Sequence, residues 1–374
     1  MSDRCMRILQ ATVANDRGGL TGYILSNYRN IDRTRFQFDF LTYDDVLDFR
    51  AEVEAMGARV FQLPRASHFF AYLAGLRSLQ RENHYDAIHL HLSYANPLVL
   101  LAAKLAGFPR IIVHSHSTWL DDRRPFARMA KSLLHRIGRR MMPQIATDML
   151  ACSGWAAEWM YPPAILRAGR AITLHNAICL NRFAYREEVR NQLRNELGIS
   201  KNQFCVGHVG RFTYQKNHEF LIRIFAAVHA RKQDAVLLLV GDGLERPAVE
   251  QQVHAMGLDG CVRFLGQCDD IASLYSVMDA MVLPSRFEGL CIVAIEAQMS
   301  GLPCICSDAL PPEAGVLETF QQLPLMAPVE AWADAVCAVR GLERRSRTAE
   351  LRQAGYDDAE EIHRMEEIYG GRAR

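Results

Sequence analysis

Short apolar runs and amphipathic stretches alternate along the whole chain. Strand-like runs fall at 7–11, 36–43, 60–63, 87–92, 111–115, 149–153 and 171–174, then at 204–210, 235–241, 262–266, 280–283 and 304–307. Between them apolar positions recur at helical spacing, for instance at 23–31, 72–82, 219–230, 246–256, 272–277 and 292–300. Strands alternating with helices from end to end predict an α/β protein with parallel sheets. A polar helix at 186–197 opens the second half, and a last helical pattern lies at 359–369. With 374 residues the chain is long enough for two ordinary domains.

Composition adds little to this picture. The net charge of +1 gives no global pull toward nucleic acid or membrane, so no nucleic-acid partner is expected. Ten cysteines occur without a Cys-x-x-Cys pair. Cys304 and Cys306 alternate along one apolar run, as packed side chains do. Reduced thiols in a cytoplasmic protein are the expectation. No run of eighteen apolar residues is present, so no membrane-crossing helix is predicted. Met1-Ser2-Asp3-Arg4 leads straight into a strand and leaves no room for a signal peptide.

Chemistry concentrates in the run 284–297. A strand feeds a turn containing Pro284 and Gly289, and an amphipathic helix follows. Free N–H groups at such a helix start suit a phosphate. Glu288 stands in the turn and Glu296 inside the helix, and carboxylates accept hydrogen bonds from sugar hydroxyls. A phosphate seat between two hydroxyl acceptors is what a nucleotide-sugar needs. The bland alternative for Glu296 is a salt-bridged helix carboxylate, but among Val293, Ala294, Ile295 and Ala297 its burial needs a partner. Arg211 and Lys216 follow a strand ending in Gly210, where a guanidinium fork and a point charge fit a leaving diphosphate. Otherwise they are two solvated surface cations.

His114 and His116 are two apart on a strand and share a face, as do His89 and His91. Four histidines at that spacing raise a metal site. No cysteine or carboxylate completes a ligand pattern, so no metal is assigned. His89 reads as a satisfied core histidine and His116 as catalytic. The acidic pairs Asp44-Asp45, Asp121-Asp122 and Asp269-Asp270 lack Asp-x-Asp spacing and read as solvated loops. From Arg123 to Met142 seven bases and no acid interleave with Phe126, Met129, Leu133, Leu134, Ile137 and Met141. This basic amphipathic helix suits an anionic membrane surface, or it is a surface helix with its apolar face in the core.

These motifs together resemble glycosyltransferase family 4, whose members are retaining enzymes of the GT-B fold. Glu288 to Glu296 matches that family's Glu-x7-Glu signature. The run 209–218 resembles its diphosphate-binding turn, 240–243 the end of its next strand, and Arg263-Phe264-Leu265-Gly266 the turn that receives the base. Gly18-Gly19 stands where the family has its N-terminal glycine loop, with Thr21 in place of a usual Glu. The similarity is closest to bacterial enzymes that assemble exopolysaccharide or capsule units.

The resemblance implies two Rossmann-like domains with parallel sheets facing a cleft. Their expected bounds are 1–180 on the acceptor side, 181–345 for the nucleotide-sugar, and 346–374 as a helical tail crossing back. It implies catalytic roles for His116, Glu288, Arg211 and Lys216. Donor contacts would come from Gly18, Gly19, Gly210, Arg263, Phe264, Leu265, the backbone N–H groups of Gly289, Leu290 and Cys291, and Glu296 on the ribose. Relatives often carry Gly-Phe-Gly where Gly289-Leu290-Cys291 stands. The implied reaction moves a hexose from a UDP-sugar to a lipid-linked saccharide acceptor, without metal or cofactor, at the inner face of the plasma membrane. The rivals are a UDP-sugar epimerase or hydrolase on the same fold, and a non-catalytic sugar-nucleotide-binding partner in a polysaccharide assembly complex.

Overall fold

The structure of the protein is a computed structural model and describes residues 4–15 and 19–371. It comprises two compact units. The first holds residues up to Asn176 together with those from Asp358 onward, and the second holds Ala177–Asp357. The segment that returns to the first unit is therefore the helix Asp358–Tyr369, and residues 346–357 lie in the second unit.

In the first unit the strands are β1 (Met6–Val13), β2 (Phe36–Thr42), β3 (Val60–Gln62), β4 (Ala87–Leu92), β5 (Ile111–Ser115), β6 (Asp148–Ala151) and β7 (Ala171–Thr173). They form one parallel sheet of order β3-β2-β1-β4-β5-β6-β7. Every residue of β4 and β5 is buried, including three histidines. The returning helix packs Tyr369 against Phe36 and Phe38 of β2, with ring centroids 5.9 and 5.7 Å apart.

The second unit is a six-stranded parallel sheet. Its strands are β8 (Phe204–Val209), β9 (Ala235–Val240), β10 (Val262–Gly266), β11 (Ala280–Leu283), β12 (Cys304–Ser307) and β13 (Phe320–Leu323), in the order β10-β9-β8-β11-β12-β13. Its core joins Phe204 and Leu237 of the sheet to Leu221, Phe225 and Trp332 of the covering helices.

The parallel α/β architecture is the one the alternating pattern predicts. Two kinds of element escaped that pattern. β13 is an edge strand whose two glutamines are exposed, so it carries no apolar run. The helix Pro97–Ala106 is apolar nearly throughout and has little helical periodicity. Its signal is at the start, where the Asn96 side chain accepts from Leu98 N at 3.1 Å and Pro97 occupies the first turn.

Strand order reverses once in each sheet, between β1 and β4 and between β8 and β11. Ligands of open α/β sheets bind outside the carboxyl ends of the strands at such a point. Among the described residues no helix is long and apolar enough to cross a membrane.

Candidate active site

At the β8/β11 switch point two turns lie side by side. After β8 the chain runs through Gly210 and Arg211 into a 3-10 turn, Tyr214–Lys216, and then into the helix His218–Arg231. After β11 it runs through Pro284–Cys291 into the helix Ile292–Met299. Backbone and side chains lace the two together. Arg286 N donates to Gln215 O at 2.7 Å, and the Asn217 amide donates to Pro284 O at 3.0 Å. Gly210 leaves room for the lysine, since a Cβ there would sit 3.1 Å from the Lys216 stem.

The two turns bring Lys216 and Glu288 together. Lys216 Nζ lies 2.8 Å from Glu288 Oε1, and Gln215 Nε2 donates to Glu288 Oε2 at 3.0 Å. Burial opposes the lysine charge, but the Glu288 carboxylate outweighs it and raises the ammonium above its usual pKa. The exposed Arg211 adds a second positive charge that Lys216 feels. The result is a paired charge cluster at the carboxyl end of a sheet.

Two residues here hold left-handed backbone without being glycine, Asn217 at φ 58° and Cys291 at φ 73°. Each begins a helix. Such a conformation costs a non-glycine residue about 1–2 kcal/mol. Cys291 thus adopts a glycine-like backbone, φ 73°, at the start of the helix Ile292–Met299. Gly289, Leu290 and Cys291 are all buried in this turn.

Glu296 has the partner its burial demands. Tyr275, fully buried, donates its hydroxyl to Glu296 Oε2 at 2.6 Å. Desolvation raises the Glu296 carboxyl pKa, against that hydrogen bond. On the edge strand β10, Arg263 Nη2 reaches Gly198 O at 3.3 Å, while Phe264 lies 6.1 Å from the Phe212 ring.

The β1/β4 switch point of the first unit holds the four histidines. Their rings form a pile, with centroids 4.1 Å apart for His89 and His91, 5.4 Å for His89 and His114, and 4.0 Å for His114 and His116. His89, His91 and His114 are buried, and His116 is half-buried at the rim. Desolvation pushes all four well below the usual imidazole range, to about 3 for His114. They are neutral rings. Nitrogens of His89, His91 and His114 lie within 4.8 Å of one another, which again raises a metal. However, stacked rings aim their lone pairs side by side, and both nitrogens of His91 are engaged by Gln10 and His116. His91 is thus hydrogen-bonded on both sides, whereas His89 Nε2 and both nitrogens of His114 meet no hydrogen-bond partner among the described residues.

Gly18 lies outside the described residues. Gly19 is exposed, with φ 46°, and begins the helix Gly19–Asn30. The acidic pairs are not simply solvated. Asp122 is buried between Arg124 and Lys131, and Asp270 caps the helix Ile271–Val277 through Ser273 N at 3.1 Å. Sequence reasoning passed over Gln215, Tyr275, Gln10 and Tyr369. A polar Gln10 inside an apolar strand was a readable signal, whereas nothing local marks Tyr275 as the partner of Glu296.

Residues 203–340 match the family model described as Glycosyl transferases group 1, and 18–177 match the Glycosyl transferase 4-like domain. A Bacillus subtilis (strain 168) protein, EpsF, a glycosyltransferase by name, is 31% identical over 384 residues, covering 99% of this chain and 97% of that one. The chain belongs to glycosyltransferase family 4. An Escherichia coli relative of this transferase, named UDP-Gal:alpha-D-GlcNAc-diphosphoundecaprenol alpha-1,3-galactosyltransferase, is 26% identical over 239 residues, 63% of this chain and 61% of that one. Among solved structures, HepE from Anabaena in complex with UDP-glucose superposes with a TM-score of 0.72 at 19% identity, covering 98% of the transferase and 95% of HepE. That likeness shows the GT-B fold, and the family membership makes the protein a hexosyltransferase acting on a sugar nucleotide.

Proposed function

We propose that the transferase moves a hexose from a UDP-sugar to a hydroxyl of a lipid-linked polysaccharide precursor, with retention of anomeric configuration and without a metal. The observation that carries this reading is the Lys216–Glu288 pair at the β8/β11 switch point, with Arg211 beside it. A bound diphosphate competes with Glu288 for Lys216, and the freed carboxylate accepts from hydroxyls of the donor sugar. The bond from the anomeric carbon to the diphosphate oxygen breaks as the bond to the acceptor oxygen forms. The acceptor's proton passes to the leaving diphosphate, whose charge Arg211 and Lys216 stabilise. Glu296 takes the ribose, backbone N–H groups of 289–291 meet the sugar and diphosphate, and His116 contacts the sugar. The turn from Arg263 to Leu265 receives the base, and the glycine pair at 18–19 contacts the donor.

The donor class draws on HepE, solved with UDP-glucose, and on the E. coli relative, which by name takes UDP-Gal to a diphosphoundecaprenol-linked sugar. A thermal-shift screen of nucleotide-sugars, followed by transfer assays in a chelator, tests it. Stabilisation by UDP and its sugars with undiminished transfer in chelator is expected. Turnover of donor without an acceptor favours the epimerase or hydrolase, and binding without turnover favours a non-catalytic partner. Loss restored by manganese or magnesium overturns the metal-free mechanism.

The lipid-linked acceptor gives a purpose to the helix Pro125–Ile145. Its inner face is buried at His135, Gly138, Met142 and Ile145. Gly138 packs so closely that a Cβ would lie 2.0 Å from Ala95 O. The opposite face leaves Phe126, Met129, Leu133 and Ile137 exposed, with the exposed Arg136 and Arg140 along it. This apolar stripe with basic neighbours fits insertion at an anionic leaflet, each base contributing about 1 kcal/mol. Lys131 and Arg139 serve the fold instead, on Asp122 and on Glu158 O. Replacing Phe126 and Leu133 with Ser, or Arg136 and Arg140 with Gln, should release the protein from anionic vesicles while UDP affinity is unchanged. A parental protein that stays in the supernatant at low and physiological salt overturns the membrane role.

A further inference from the structure

Gln10 is a buried amide in the middle of β1, 1% exposed. With its amide nitrogen toward Tyr369 and its oxygen toward His91, its hydrogen bonds set the direction of a chain that ends on His116. Gln10 Nε2 donates to the Tyr369 hydroxyl at 3.1 Å, and Gln10 Oε1 lies 2.9 Å from His91 Nε2. A carbonyl oxygen only accepts, so His91 carries its proton on Nε2. His91 is buried and neutral, which leaves Nδ1 as a bare acceptor. That Nδ1 lies 3.0 Å from His116 Nε2, so His116 donates from Nε2. His116 is neutral too, and its own Nδ1 is then a lone pair.

Two further contacts follow from this direction. Opposite His116 Nδ1 stands a donor, the Asn176 amide nitrogen, at 3.5 Å. At the other end, Tyr369 accepts from Gln10 and so donates its single proton to His89 Nδ1, 2.8 Å away. Neutral His89 then carries its own proton on Nε2, which meets no acceptor among the described residues.

We infer that Gln10, His91 and Tyr369 are positioning residues that hold His116 as its Nε2–H tautomer, so that the atom His116 can offer a substrate is the Nδ1 lone pair, an acceptor for a sugar hydroxyl. This rests on the reading of His116 as a donor-sugar contact. It deepens that reading by naming the substrate group as a hydrogen-bond donor, in place of a ring oxygen or carbonyl. Asn176 gives way to the hydroxyl, since its contact is the longest in the chain.

Long-range proton–nitrogen NMR of protein labelled on its imidazole nitrogens tests this, with His116→Asn used to assign the signals. The intact protein should show a protonated Nε2 and a bare Nδ1 on His116. Gln10→Leu and His91→Phe should turn that signal into a mixture of tautomers. They should lower kcat for sugar transfer on the order of ten-fold, with UDP affinity kept within about two-fold. Tyr369→Phe removes only a hydroxyl and keeps the fold testable if the other variants do not accumulate. It should loosen the tautomer less, because Gln10 still accepts from His91. A protonated Nδ1 on His116 in the parental protein overturns the inference whatever the variants do. If His116→Ala transfers sugar at the parental rate, the catalytic reading of His116 fails, while the NMR assignment stands or falls separately.

Discussion

The two switch points of this transferase solve opposite problems with buried polar groups. At the end of β8, Lys216 keeps its charge under burial because Glu288 stands 2.8 Å away. At the end of β4 and β5, four imidazoles share a comparable burial with no carboxylate among them, and they lose their charge. Glu361, which faces the same region, is taken up by the Tyr23 hydroxyl. The difference shows that a partner within hydrogen-bond reach, more than burial itself, decides whether a side chain is an ion. One switch point thus holds a charged pair, and the other a set of neutral rings.

The comparison breaks most visibly if the charged end does not carry the chemistry. Arg211→Ala and Lys216→Ala should each lower kcat/KM on the order of 10²–10³, because their charge matters most as the diphosphate leaves. Steady-state kinetics with folding checked by circular dichroism decides it. Near-parental kcat/KM in both variants places the diphosphate site elsewhere.

The neutral end predicts a pH response of a definite sign. In the unfolded chain these imidazoles titrate near pH 6.5, and in the fold they stay neutral to much lower pH, to about 3 for His114. Below 6.5 the unfolded chain binds more protons. Stability therefore falls as pH is lowered from about 6.5, by up to about 1.4 kcal/mol per pH unit for each fully buried ring. Thermal melts at pH 7.5 and 5.0 measure it, and His114→Leu should flatten the slope. A parental melting temperature that is level across that interval means the rings are protonated in the fold. Lys216 has the opposite shift, so its contribution persists through neutral pH and is lost only in alkali, as pH rises through its raised pKa.

The smallest expected effect sharpens the division within the charged end. Glu296→Gln should weaken UDP binding about ten-fold, through one charge-assisted bond to ribose. Glu288→Gln should harm transfer more than UDP affinity. Calorimetry with free UDP separates them, and equal losses of affinity mean the two roles are misassigned.

Much of this molecule was legible before it was folded. Apolar runs in alternation determined the parallel sheets, because strands covered by helices on both faces have no polar face to show. The Glu288 to Glu296 spacing and the run from Gly210 to Lys216 marked the charged turns, because a turn after a strand needs particular residues at fixed offsets. Edge strand β13 was not legible, since half of it faces water and breaks the pattern. The basic helix at 125–145 was legible as amphipathic, but its sequence left open which face is covered. The packing of Gly138 on Ala95 decided that, and left the stripe of Phe126, Met129, Leu133 and Ile137 outside. Pairing was decided only by tertiary structure. Lys216 meets Glu288 across 72 residues, and Gln10 meets Tyr369 across 359. Local spacing determines which groups a turn or strand presents, but hydrogen bonds depend on where distant segments arrive, and that follows from strand order.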